Sequence, residues 1–561
     1  MERLAQEGKI PAALARILAN RGISDPVQAE RFLLATFADM HDPFLLSGME
    51  KAVDRLAAAV RAGERLCVHG DYDVDGVTGV ALLVAFFRTI GLDGVSYYIP
   101  RRLEEGYGLS TEGVRSVAAS GAKIILTVDC GINSVAEAEL CASMGIDLII
   151  TDHHMPGETI PPALAVINPL LPDSSFPFKN LAGVGVAFNL MIALRMRLRE
   201  EGHFAKLPEP NLRECLDLVA LGTVADIVPL VDENRIFVKC GLRELASSRR
   251  IGIQALKEVA GVSGDVSCGA VGFRLAPRLN AAGRLEDAAL GVELLLCTDR
   301  QRAKAMAAEL DASNAERQAL EQEILAEALA MVRDIPEQEG RRSIVLASEA
   351  WHPGVIGIVA SRIVDMFHRP TILIALQEGN GRGSGRSIPN FHLHDALNAC
   401  SEHLLKFGGH KYAAGLSVEE STLRAFIGSF DEVATGLLSP ADLIPELAID
   451  AVLKPEEVSY GLAEAIEAMA PFGMGNPEPV FMLERARIAE QRILKERHLR
   501  LHIIAGKSNF EAIGFNMAQG RALPELVDLA FSLQLNEWNG RKSLQLRLRD
   551  IRDSENADIP S

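Results

Sequence analysis

The sequence predicts an α/β protein: a parallel-sheet domain joined by a long helix to a second α/β domain, followed by a small β-barrel. Three observations carry that reading. Short apolar, β-branched runs alternate with helical patterns over the N-terminal half. An almost uninterrupted helical pattern runs from Asp299 to Ile335, free of Gly and Pro until its end. Beyond about Pro440 the pattern changes to alternating apolar and polar positions.

Residues 1–45 read as short helices broken at Gly22 and Pro26, ending in the turn-like HDPF. Residues 46–290 hold strand–loop–helix units: RLCVHG, the helix GVTGVALLVAFFRTI, SYYIP, KIILTVDCG, a helix from Ser134 to Met144, and DLIITDHH. Continuous apolar strands separated by helices imply a parallel sheet covered on both faces. Such sheets place their sites just past the carboxyl ends of the strands. Polar clusters stand at three of those ends, in HGDYDVDG, VDCG and TDHH.

Residues 291–335 hold the connecting helix, whose uninterrupted part from Asp299 onward is about 54 Å long at roughly 1.5 Å per residue. Residues 336–440 repeat the α/β texture with SIVLAS, the helix GVIGIVASRIVDMF, the strand TILIAL and the glycine-rich GNGRGSGRS, read as an open, phosphate-cradling segment. Within 441–561, strands are expected at 498–505, 510–516, 527–535 and 543–551, with Asn539-Gly540 as a hairpin turn. Leu544, Leu546 and Leu548 alternate with Gln545, Arg547 and Arg549, so this strand has a basic outer face. The pattern suggests an OB-type barrel, a fold that often carries single-stranded nucleic acid.

Composition narrows the function. With 57 Lys and Arg against 75 Asp and Glu the net charge is −18, and a polyanion would be repelled unless basic residues gather where it touches. Between Phe481 and Asp553 there are 13 Lys and Arg against 9 Asp and Glu, which points to the C-terminal barrel. The longest apolar stretch, Val77 to Phe87, is too short to cross a membrane, and the N-terminus lacks the pattern of a signal peptide. Eight cysteines without a CxxC pair fit reduced thiols in a cytoplasmic protein rather than a zinc site.

The candidate chemistry lies at the strand ends. His69, Asp71, Asp73 and Asp75 crowd one Gly-bounded turn, where neighbouring carboxylates repel unless a cation sits among them. DYDVDG imitates the start of a calcium loop, but the twelfth position from Asp71 is Leu82, where a bidentate Glu is needed. Asp129 follows the strand IILTV, His153 and His154 follow LII and Asp152, and Asp226 interrupts the apolar GTVADIVPL. His69, Asp73, Asp75, Asp129, His153 and Asp226 make a mixed oxygen and imidazole donor set, suited to Mn²⁺ and, with less preference, Mg²⁺. Six donors exceed what one catalytic ion uses. They suit two ions about 3.5–4 Å apart, sharing a carboxylate, for in-line displacement at phosphorus.

In this order HGDYDVDG, VDCG, TDHH and GTVADIVPL resemble the four motifs of the DHH phosphoesterase superfamily. IPRRLEEGYGLS, RLNAAGR, WHPGVIGIVASRI, GSGRS, FGGHKYAAG and PFGMGNPEP further resemble the RecJ family of single-strand-specific exonucleases. The resemblance spans almost the whole chain. It implies a DHH domain, a DHH-associated domain and an OB-like domain in the order already read. It implies that His69, Asp73 and Asp129 hold one ion, that Asp75, Asp129, His153 and Asp226 hold the other, and that Asp71 stands behind them to orient the loop. His154 would face the scissile phosphate, making Asp75, Asp129 and His154 the catalytic core.

For the substrate, the resemblance implies a 5′-phosphate pocket from Ser384, Arg386 and Arg102 of IPRR, and a backbone contact at His410. Arg278, Asn280 and Arg284 of RLNAAGR would sit where the domains join. The implied activity is 5′→3′ degradation of single-stranded DNA to nucleoside 5′-monophosphates, in repair and recombination, beside a helicase and a single-strand-binding protein. Two rivals remain: a DHH phosphodiesterase for short oligoribonucleotides or cyclic dinucleotides, and a non-catalytic DHH scaffold of a replication assembly. The basic barrel argues against the first and the filled ligand positions against the second.

Overall fold

Leu66–Gly70 (β1), Val95–Tyr98 (β2), Ile124–Val128 (β3), Asp147–Thr151 (β4) and Ala165–Ile167 (β5) form one sheet, ordered β2-β1-β3-β4-β5 and parallel throughout. Every residue of β1 and β3 is buried, as continuous apolar strands covered on both faces must be. The helices Val74–Thr89 and Gly183–Glu200 pack together, and Leu216–Ala225 packs on the first of them. This computed structural model describes residues 2–101, 105–106, 108–285, 287–333, 340–518, 523–538 and 541–554. The chain divides into two compact units, the first made of 1–276, 292–298 and 448–561, the second of 277–291 and 299–447.

The first unit joins three segments that are distant in sequence. Strands Ala451–Val452 (β11), Phe481–Leu494 (β12), His498–Ala505 (β13), Ser508–Gly514 (β14), Leu526–Trp538 (β15) and Arg541–Asp553 (β16) form a sheet ordered β11-β12-β13-β14-β16-β15. An added β12–β15 pairing closes five of them into a barrel. The expected strands are all present, and β12, which the sequence reading omitted, supplies the closure. The expected turn at 539–540 lies outside the described residues. The N-terminal helices Glu2–Glu7, Ala12–Asn20 and Pro26–Leu34 are not separate from this barrel. Leu14, Ile17 and Leu18 share one buried cluster with Leu483, Ile503, Phe531 and Leu546. Arg235, itself buried, ties both to the parallel-sheet region. It donates to Phe32 O (2.7 Å) and Ala470 O (3.0 Å) and stacks on the Phe32 ring at 3.9 Å.

The second unit carries the 34-residue helix Arg300–Arg333, and the start of the expected 291–335 span falls instead in a separate helix, Ala289–Leu296. Its sheet joins Ile344–Ser348 (β6), Thr371–Gln377 (β7), Asn380–Arg386 (β8), Lys406–Gly409 (β9) and Ala413–Glu419 (β10) in the order β6-β7-β8-β10-β9. Only β6 and β7 run parallel. The glycine-rich segment is therefore a strand, which corrects the expectation of an open cradle. Its backbone pairs with β7 on one side and β10 on the other. Alternation explains this. Gly381, Gly383 and Gly385 face the apolar side, where an added Cβ would lie 2.6 Å from Ile374, 2.7 Å from Leu416 and 2.9 Å from Leu393. Arg382, Ser384 and Arg386 occupy the opposite face.

Candidate metal centre

Asp73 ends the turn after β1 and caps the helix Val74–Thr89. Its Oδ1 accepts from Asp75 N (2.9 Å) and Gly76 N (3.1 Å), two amides that a helix start leaves unpaired. Asp75, buried in the first turn, accepts from Gly183 N (2.6 Å) and Val184 N (2.8 Å) at the start of another helix. Asp129 directly follows β3 with φ +63°, and Asp226 closes the helix Leu216–Ala225. Gly183 leaves room for this packing, since a Cβ there would lie 2.6 Å from Asp129 Cβ and 2.8 Å from its Oδ1.

These elements draw the side chains into three overlapping groups whose ligand atoms lie within 4.8 Å of one another: Asp75, His153 and Asp226; Asp129, His153 and His154; Asp71, Asp73 and Asp129. His153 Nε2 is central, 3.0 Å from Asp129 Oδ1, 3.7 Å from Asp226 Oδ2 and 4.0 Å from Asp75 Oδ2. Five of the six expected ligands therefore meet, together with Asp71 and His154. His69 stands in none of the three groups. It is fully buried, stacked on Tyr98 at 5.3 Å, with Nδ1 3.8 Å from Cys130 Sγ and Nε2 turned toward Gly113.

Electrostatics fits a divalent cation. Burial, then the charge of Asp73, pushes Asp75 up to about 7. Burial and neighbouring carboxylates raise Asp129 and Asp226 well above the ordinary range. Burial lowers His69 and His153 to about 4, leaving neutral imidazoles whose lone pairs can bind metal. Among the described residues, Nε2 of both histidines and Oδ2 of Asp226 are buried without a hydrogen bond. Carboxylates placed so close repel one another until a cation sits among them, and with the neutral imidazoles they make a donor set that Mn²⁺ and Mg²⁺ accept.

Sequence reasoning passed over one organiser. Asp152 accepts from Ile132 N (2.9 Å), His153 N (2.7 Å), His154 N (3.1 Å) and His154 Nδ1 (2.8 Å), so one buried carboxylate holds the whole histidine turn. Burial opposes its charge, but the His154 ring and these N–H groups outweigh it and hold Asp152 below the usual carboxylate range. Burial likewise works against charge on His154, and Asp152 overcomes it, raising that imidazole. An Asp directly before two histidines was the available signal.

Three family models match in sequence: the DHH family N-terminal domain over residues 65–223, the DHHA1 domain over 340–436 and the RecJ OB domain over 449–550. The single-stranded-DNA-specific exonuclease RecJ of Escherichia coli (strain K12) is 42% identical, over 97% of this chain and 96% of its own length. The chain belongs to the RecJ family. RecJ of Bacillus subtilis (strain 168) is 38% identical over 99% of this chain and 70% of its own. A crystal structure of RecJ in complex with Mn²⁺ from Thermus thermophilus superposes with a TM-score of 0.83 at 34% identity, covering 98% of this chain and 77% of that one.

In this RecJ-family chain the expected substrate residues are placed as follows. Ser384 and Arg386 share a face of β8, and Arg386 Nη1 donates to Ser384 Oγ (3.1 Å) and Gly385 O (2.7 Å). The start of the helix Ile356–Phe367 lies over them, since a Cβ on Gly357 would be 2.8 Å from Ser384 Oγ and 3.0 Å from Arg386 Nη2. His410 is exposed in the turn between β9 and β10, its N–H bonded to Ala413 O. Arg278 Nε pairs with Asp311 Oδ1 (2.8 Å) on the long helix, and Asn280 is half-buried. Arg102 and the side chain of Arg284 lie outside the described residues. Among the described residues no helix is long and apolar enough to cross a membrane.

Proposed function

We propose that this protein degrades single-stranded DNA from the 5′ end, releasing nucleoside 5′-monophosphates by two-metal hydrolysis in DNA repair and recombination. The observation that carries this is the convergence of Asp71, Asp73, Asp75, Asp129, His153, His154 and Asp226 at the ends of a parallel sheet. It occurs in a chain 42% identical along nearly its full length to a single-stranded-DNA-specific exonuclease. Asp75, Asp129, His153 and Asp226 would hold one ion, and Asp73, Asp129 and His69, once its ring turns to the cluster, the other. Divalent ions, when bound, supply the charge that lets the carboxylates stay ionised and acidify water for attack on phosphorus.

The remaining work falls to the chain. Asp152 fixes the His154 ring and favours its protonated form, so the imidazolium can stabilise charge developing on phosphoryl oxygens. Ser384, Arg386 and the start of the helix over them suit a terminal phosphate, which a guanidinium can grip with two bonds. The closed barrel would carry the strand, and a helicase and a single-strand-binding protein in the cytoplasm would supply it. The scaffold alternative is disfavoured because no position in the acidic cluster is replaced.

Digestion of 5′- and 3′-labelled single strands with Mn²⁺, beside duplex and RNA controls, tests the reading. Mononucleotide released first from the 5′ label is expected. Release from the 3′ label, or equal attack on duplex, would overturn the assignment.

A further inference from the structure

Ile227 directly follows the ligand Asp226 and holds φ +61°, a left-handed conformation that a β-branched residue rarely adopts. The residue is 72% exposed, so burial does little to offset that conformation. Gly or Asn would occupy the position without strain. A second exposed apolar side chain stands in the corresponding place. Met155 directly follows His154 and is 63% exposed. Asn133 fastens its loop to the Asp129 turn, donating to Met155 O (3.4 Å) and accepting from Gly157 N (2.7 Å). Neither side chain has a role in holding metal.

Both residues are placed by the metal cluster itself. Consecutive Cα atoms are about 3.8 Å apart. Asp226 and His154 each have ligand atoms within 4.8 Å of His153. The sugar and base attached to a phosphate seated among those carboxylates would lie within reach of both positions. Strain at the rim of a site commonly persists where it serves the ligand. An aliphatic side chain can lie on the face of any of the four bases, because each is flat and apolar there, and it reads no hydrogen-bonding edge.

We propose that Ile227, together with Met155, is the apolar contact for a nucleobase flanking the scissile phosphate, holding the strand in register for hydrolysis. This rests on the exonuclease reading above. The test compares wild type with Ile227→Gly and Ile227→Asn, both free of backbone strain, on three 5′-phosphorylated single strands. One strand is intact, one has a tetrahydrofuran abasic residue at the first position, and one has it at the second.

The variants are expected to melt no lower than wild type and to bind Mn²⁺ equally in titration. On the intact strand kcat/KM should fall roughly tenfold, mostly through KM, as for loss of one apolar contact. On one of the two abasic strands they should match wild type. Equal losses on all three strands would show that Ile227 acts by aligning Asp226, and no loss on any would show that the base passes elsewhere. Either result overturns the inference while leaving the exonuclease reading intact. A wild-type enzyme inert on all three strands would fell the exonuclease reading first.

Discussion

The two α/β sheets of this molecule use the same ingredients in opposite ways. The parallel sheet keeps its strands almost wholly apolar and spends its polar residues at their ends, where Asp73, Asp129 and His153 each follow a strand. The mixed sheet puts polar residues on a strand itself, with Arg382, Ser384 and Arg386 on one face of β8 and three glycines on the other. Strand ends allow side chains from several segments to converge on one point, which metal ligation requires. A strand face spaces its side chains in a row, which suits contact with an extended, repeating backbone. Glycine makes each arrangement possible, by close approach of a helix at Gly183 and by a thin inner face at Gly381, Gly383 and Gly385.

Removing Asp129, which stands in two of the three candidate metal groups, should separate the sheets most sharply. Asp129→Ala is expected to lower kcat by roughly 10³-fold or more with either metal while strand binding survives. Near-normal turnover with Mn²⁺ would break the assignment. Gly183→Ala tests the approach that positions Asp129, because its Cβ would stand 2.6 Å from Asp129 Cβ. A fall of about 10²-fold in kcat is expected from misplaced ligands, with weaker Mn²⁺ binding in titration calorimetry.

The mixed sheet should respond in binding rather than chemistry. Arg386→Ala is expected to raise KM about tenfold or more for 5′-phosphorylated strands and hardly at all for 5′-hydroxyl strands, the size of a lost charge-assisted bond. Equal effects on both ends would remove the phosphate role. The smallest functional effect is expected at Gly383→Ala, which crowds Leu416 and Ile374. Overpacking there should cost about 1–3 kcal/mol, read as a lower melting temperature, with Mn²⁺ affinity unchanged.

The parallel sheet was legible because its signal is local: an apolar run, then a polar cluster, repeated. Four of the six expected ligands, Asp73, Asp75, Asp129 and His153, were legible that way, and they converge with Asp226, which closes a helix instead. The glycine-rich strand was misread because local composition favours a loop. Only its neighbours Ile374, Leu416 and Leu393 explain why alternate positions must lack side chains. The barrel's closing strand β12 escaped notice for a similar reason, as its residues are mostly exposed along the second half and lack clean alternation.

Element order, the two sheet domains, the barrel and the donor types are all written along the chain, since each follows from periodicity and residue chemistry within a short window. Packing in three dimensions was needed to show that the N-terminal helices complete the barrel's core, that Asp152 organises the histidine turn and that His69 faces Tyr98 and Gly113. It was needed, too, to show that an isoleucine stands exposed and left-handed beside Asp226. Those outcomes depend on which distant segments share a space, and contact between segments leaves no periodic trace in any one of them.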